Sequence, residues 1–346
     1  MLAWTAGLVA AGVCAAVLVA AGSITRVPGS GLPALDIRVS WLLPATRLAA
    51  DLAAAITVGC LVAAALLLPG RGTLSTPGYR WLRRATWAAA AWAVAAALML
   101  PGLLVEFLNT DLSQVSARAV LAFVRDAPYG AAPAAAAVLA GAVAVGSRWV
   151  LTPTGARALL VPALLAVALP AVAEYAEAEG TPARVAVEAS GMVLHVLGAL
   201  VWAGALAALL LFRLPTADLV TAVRRYSRVA PALALAVAVS GLLTAASELQ
   251  QPGQLLRTDY GRVVLLKMLA FAGLVALGWW HRRRTVPAVA AGRVGAFRRI
   301  AAAELLVFAA TFGLATGLSR TPAPEPGSAV EDLGSAAYGS APAGRD

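Results

Sequence analysis

The stretch Glu188–Phe212 reads EASGMVLHVLGALVWAGALAALLLF, and between its first and last residues His195 is the one ionisable side chain. A helix crosses a bilayer core about 30 Å thick with roughly 20 such residues. Apolar and polar positions do not alternate here as they would in a strand. A helix is also the spanning element that closes all its own backbone hydrogen bonds in lipid. Eight further runs of the same kind lie around it, giving spans at about 4–22, 46–68, 81–101, 130–150, 157–174, 188–212, 227–248, 262–281 and 300–319. The expected fold is all-α: a polytopic transmembrane helical bundle of about nine spans, or eight if the first is removed as a leader. A leader needs a basic start, and no basic residue precedes Arg26, so the first run is read as a span.

Composition supports this reading. Apolar residues make up 61% of the 346 and charged residues 13%, and the mean hydropathy is +0.81. A soluble fold has no way to hide that much apolar surface. The net charge of +10 would fit nucleic acid in a soluble chain, but in a membrane chain loop arginines set orientation, so no nucleic-acid partner is expected. Cys14 and Cys60 both fall inside apolar runs, which leaves neither a disulfide framework nor a CxxC motif.

Sixteen of the 27 basic residues lie in four alternate connections, together with a single acid, Asp218. Arg71, Arg80, Arg83 and Arg84 follow the second span, and Arg148 and Arg157 the fourth. Arg213, Arg224, Arg225 and Arg228 follow the sixth, and six more, from Arg282 to Arg299, the eighth. The intervening connections collect acids, among them Glu106, Asp111, Asp126, Glu174, Glu188, Glu248 and Asp259. Cytoplasmic loops gather Lys and Arg, so the expected topology has the N-terminus inside and the C-terminus outside. Segment 103–127 places Leu112, Val115, Val120 and Phe123 at helical spacing, which predicts an amphipathic helix along the outer surface. The expected organisation is a five-helix membrane region over 1–180, a four-helix membrane domain over 181–320 and a flexible extracytoplasmic tail over 321–346, rich in Pro, Gly and Ser.

Ionisable groups within spans are costly and mark function. His195, Lys267 and Asp51 each fall in the outer part of their spans, and Ser240, Thr244 and Glu248 form a polar stripe at i, i+4 and i+8. Glu304 lies towards the cytoplasmic end of the ninth span, and His281 beside Arg282, Arg283 and Arg284 reads as an interfacial residue. Met99, Met192 and Met268 share the outer bias. Met192 and His195, three residues apart, present thioether and imidazole on one helix face, a donor pair that suits Cu(I). The alternative is a buried histidine hydrogen-bonded to a neighbouring helix. Lys267 either snorkels outward or pairs with Asp51 or Glu248, and the cysteines read as small packing residues before they read as a copper relay. The two histidines fall at opposite ends of the bilayer, which argues against a haem held by both. The sequence has no HExxH, Ser/His/Asp or paired-carboxylate pattern, so an enzyme is not expected.

Four stretches resemble the CopD family of bacterial copper-resistance membrane proteins. They are HVLGALVWAGALAALLLF (His195–Phe212), RRYSRVAPALALAVAVSGLLTA (Arg224–Ala245), TDYGRVVLLKMLAFAGLVALGWWHRRRTVPA (Thr258–Ala288) and AELLVFAATFGLATGLSRTPAP (Ala303–Pro324). Their features are the histidine followed by Trp202-x-Gly204, the basic-Tyr-Ser start with Ser240-Gly241 near its far end, Tyr260-Gly261-Arg262, and the intramembrane Lys267. The resemblance implies a multi-pass protein of the bacterial plasma membrane that moves copper inward from the extracytoplasmic side. Met192, His195, Met268 and Met99 would then be metal donors, and Trp202 and Tyr260 would join Asp51, Lys267 and the polar stripe on the path. Copper, as Cu(I), would be the cargo, with no haem. Met- and His-rich outer loops are missing from the sequence, which favours delivery by a periplasmic copper-binding protein. Two alternatives stand beside this reading: a non-transporting membrane partner for copper delivery to a chaperone or to oxidase assembly, and a transporter of another ion.

Overall fold

Helix after helix begins where the sequence supplies a hydroxyl cap. In a computed structural model that describes residues 2–20, 37–176, 178, 180–248 and 253–321, Ser75, Ser116, Thr152, Thr181 and Thr258 each accept from the backbone N–H three residues on. Each such cap stabilises its helix by about 1 kcal/mol. Pro128, Pro153 and Pro182 stand at the first helical position, where a missing N–H costs nothing.

The elements in chain order are α1 (Leu2–Ala20), α2 (Ile37–Val62, prolonged by a π turn Ala63–Leu67), α3 (Thr76–Leu108), α4 (Ala117–Asp126), α5 (Pro128–Gly146), α6 (Pro153–Ala173), α7 (Pro182–Leu211) and α8 (Thr216–Glu248). They continue as α9 (Gln254–Arg257), α10 (Asp259–Trp280, prolonged by a π turn His281–Thr285), α11 (Val286–Ala290) and α12 (Val294–Leu318). No strand occurs among the described residues. Among the described residues, eight helices are long and apolar enough to cross a membrane, and α1 is a further, shorter apolar helix. The protein is therefore a multi-pass helical bundle. Several helices outrun their apolar cores: α3 spans 76–108 where hydropathy marks 81–101, and α8 starts at Thr216 where it marks 227. The extra turns carry arginines such as Arg80 and Arg224, which helices tolerate outside hydrocarbon.

The arginine-bearing connections meet at one end of the bundle. The Leu74 N–H donates to the Leu151 carbonyl at 2.9 Å, joining the α2–α3 and α5–α6 connections. Arg225 Nη1 donates to the Leu66 and Leu67 carbonyls at the end of α2, both at 3.1 Å, as cations do at helix C-termini. The Arg80 and Arg84 guanidiniums lie over the Phe212 ring. At the opposite end Arg47 pairs with Glu174 at 2.7 Å, and Arg320 with Glu106. Alternation around the bundle thus agrees with the arginine count in the sequence.

Small residues let helices approach where burial of apolar area gives little drive in lipid. A Cβ on Gly313 would run into the Ala10 carbonyl, and one on Gly317 into Val17. The order of these contacts makes α1 parallel to α12, so α1 starts at the arginine-rich end. Cys14 is buried in this seam, and Cys60 is buried in the main core. That core takes residues from both halves of the chain, including Val58, Trp81, Trp202, Leu206, Leu274 and Phe308. Outward-facing residues are greasy: Trp87, Trp149, Val138 and Leu235 are all at least 65% exposed. On a soluble protein such a surface would aggregate; here it faces lipid. The amphipathic segment is realised in α4, which buries Phe123 against Leu43, Leu103 and Leu104. The tail from 322, with Glu177, Glu179 and the 21–36 connection, lies outside the described residues.

Candidate metal site

His195 is half-buried on α7 and faces α8. Its Nδ1 is 3.2 Å from the Val237 carbonyl and 3.2 Å from Ser240 Oγ. A carbonyl only accepts, so Nδ1 carries the proton. Ser240 Oγ donates its own hydrogen to the Ala236 carbonyl at 2.6 Å, which leaves a lone pair for the imidazole. The neutral ring then presents Nε2 as a free lone pair, and Nε2 has no hydrogen-bond partner among the described residues. Ser240 itself is 1% exposed. The histidine is thus hydrogen-bonded to a neighbouring helix, the alternative weighed from the sequence. The same contact is what a metal-ligating histidine uses to fix its tautomer and ring orientation, so both readings share one geometry.

The residues named from sequence fall into separate groups. Met192 is half-buried one turn from His195 on α7, towards the end opposite the arginines. Lys267, half-buried on α10, is close enough for its charge to act on His195 and has no ion pair among the described residues. Thr244 donates to the Ser240 carbonyl at 3.1 Å; the side chain of Glu248 lies outside the described residues. Tyr260 is half-buried at the start of α10. Three others are described by their own surroundings. Met268 is 48% exposed, Met99 packs beside Leu43, Leu103, Leu104 and Phe123, and Asp51 interacts with Arg47 and Glu174 instead of Lys267. A shallow apolar groove of about 530 Å³ on the α2–α3 face, with Trp87 on its wall, includes none of them.

Below His195, Trp202 closes the interior. It is 6% exposed and meets Phe271 and Phe308 edge-on, with centroids 6.1 and 4.9 Å away. Its carbonyl accepts from Tyr226 Oη at 3.3 Å. Two residues on from it, Gly204 crosses Gly59 of α2 so tightly that a Cβ on either would strike the other helix's backbone. The Trp-x-Gly step therefore seats an aromatic plug beside a close helix crossing. Tyr-Gly-Arg has a local task too: Gly261 fits against the Gln254 carbonyl, and Arg262 binds Asp259 and the Leu256 carbonyl.

One group the sequence left unpaired appears beyond the plug. His281 is 6% exposed and turned into the bundle: it packs edge-on to Phe297 and sits 3.9 Å from Glu304. Arg283 and Arg284 instead cover the exposed Trp279 and Trp280. The usable signal was the carboxylate of Glu304, alone in an apolar helix.

Fold and site together define a multi-pass helical membrane protein with a tethered histidine in one half and an aromatic plug at mid-bundle. Residues 220–318, which run from α8 through α12, match the family model of copper resistance protein D, CopD. The match begins after α7, so Met192, His195 and Trp202 lie outside it. No curated protein and no solved structure matches the chain.

Proposed function

We propose that the protein carries copper across the bacterial plasma membrane, inward from the extracytoplasmic side. The arginine-rich end is cytoplasmic on this reading, and Met192 with His195 opens to the other side. The observation that supports it most is the tether on His195: Nδ1 is committed to α8 while Nε2 stays available beside a thioether one turn away. Imidazole and thioether together bind Cu(I) well. Lys267, as a cation near the site, weakens an ion's hold and favours onward movement. On this reading Met268, 48% exposed, and Met99, packed beside Leu43 and Leu103, are secondary donors. Trp202 separates the mouth from the cytoplasmic half, so passage requires that plug to shift.

The test is copper uptake into liposomes containing the purified protein. Wild type accumulates copper, and His195→Ala, at equal protein per vesicle, accumulates at least about tenfold less, since even losing an outer-shell partner of a ligand costs about that much. A membrane partner that only docks a copper chaperone gives no uptake in either case. A transporter of another ion gives uptake that ignores copper.

A further inference from the structure

The cytoplasmic half of the bundle holds a second polar group that the His195 reading does not use. His281 ends α10 and Glu304 lies within α12, and their side chains are each 7% exposed. His281 Nδ1 stands 3.9 Å from Glu304 Oε1. Both ring nitrogens and that carboxylate oxygen are buried without a hydrogen-bond partner. Buried polar atoms ordinarily find partners, and here two of the three, Nδ1 and Oε1, face each other across one gap.

The gap is too wide for a direct hydrogen bond. It fits one metal ion. An ion bonded to imidazole nitrogen at about 2.0 Å and carboxylate oxygen at about 2.1 Å holds those atoms roughly 3.4 Å apart at a tetrahedral angle and roughly 4.1 Å apart when collinear. The observed separation lies between these limits. Nearby groups leave the gap to a cation: Arg282, Arg283 and Arg284 are exposed, two of them lying over Trp279 and Trp280. Phe297 flanks the ring, and Tyr226, whose hydroxyl is spent on the Trp202 carbonyl, adds a phenol on the carboxylate side.

We infer that His281 and Glu304 are the two protein donors of a buried site for a divalent transition-metal ion, with solvent completing its coordination. One imidazole with one carboxylate suits borderline ions such as Cu(II) or Zn(II) better than Cu(I). The site therefore differs from the Met192–His195 mouth in residues, position and preferred ion, and does not rest on it.

The experiment adds Cu(II) to the purified full-length protein in detergent, removes unbound metal by gel filtration, and reads retained copper by atomic absorption and electron paramagnetic resonance. Wild type should retain Cu(II) with the splitting of a single imidazole nitrogen. His281→Ala and the isosteric Glu304→Gln should each lower retention about tenfold or more, while His195→Ala retains it. Three results overturn the inference: no Cu(II) retained by wild type, as a bridging water or shared proton would give; a signal that survives both His281→Ala and Glu304→Gln; or a signal lost with His195→Ala. Glu304→Gln keeps the side chain's volume, so its result stands even where His281→Ala fails to fold.

Discussion

The His195 imidazole occupies the space that a side chain at Gly241 would need: a Cβ there would lie 3.0 Å from Cε1 and 3.2 Å from Nδ1. Ser240 and Gly241 thus act on one ring from adjacent positions, the first accepting a hydrogen bond from Nδ1 and the second leaving the ring room.

Gly241→Ala is expected to push the ring by a few tenths of an ångström and lengthen both Nδ1 contacts. Helix formation itself is favoured by the change, so the bundle should keep its thermal stability. Cu(I) affinity, measured by competition with a chromophoric chelator, should fall about tenfold. Unchanged affinity would mean that ring position does not matter to copper.

Gly204 tests the packing. Alanine there meets the Ala55 carbonyl on α2, and overpacking of this kind costs about 1–3 kcal/mol. Gly273, with nothing within 4 Å of its missing Cβ, is the matched control. Thermal unfolding in detergent should show a lowered midpoint for Gly204→Ala and an unchanged or raised one for Gly273→Ala.

Topology is testable by reporter fusion. An alkaline phosphatase domain, active only outside the cytoplasm, should be inactive when inserted after Trp149 in the α5–α6 connection and active when inserted after Thr110 in the α3–α4 connection. The reverse pattern would invert the bundle and place His195 on the cytoplasmic side.

Much of the fold was legible because length and charge carry it. Apolar runs such as Glu188–Phe212 gave the spans, and alternate arginine loops gave an order that the Leu74–Leu151 and Arg225–Leu67 contacts independently reproduce. Facing was not legible. In lipid the outside of a helix is as apolar as its inside, so periodicity says nothing about which way a residue points. Met268 and His195 looked equivalent, yet one is half exposed while the other is tied to α8. His281 was obscured by three neighbouring arginines, although a turn at the end of α10 directs it inward to Glu304 while they face outward. Side-chain chemistry nominated candidates; only packing separates those that meet from those that do not.

Direct spectroscopy of bound copper tests the central claim most closely. X-ray absorption on detergent-solubilised wild type loaded with one equivalent of Cu(I) should show nitrogen and sulfur in the first coordination shell. The sulfur should vanish in Met192→Leu, and the nitrogen in His195→Ala. A wild-type protein that retains no Cu(I), or whose spectrum is untouched by both substitutions, would contradict the account.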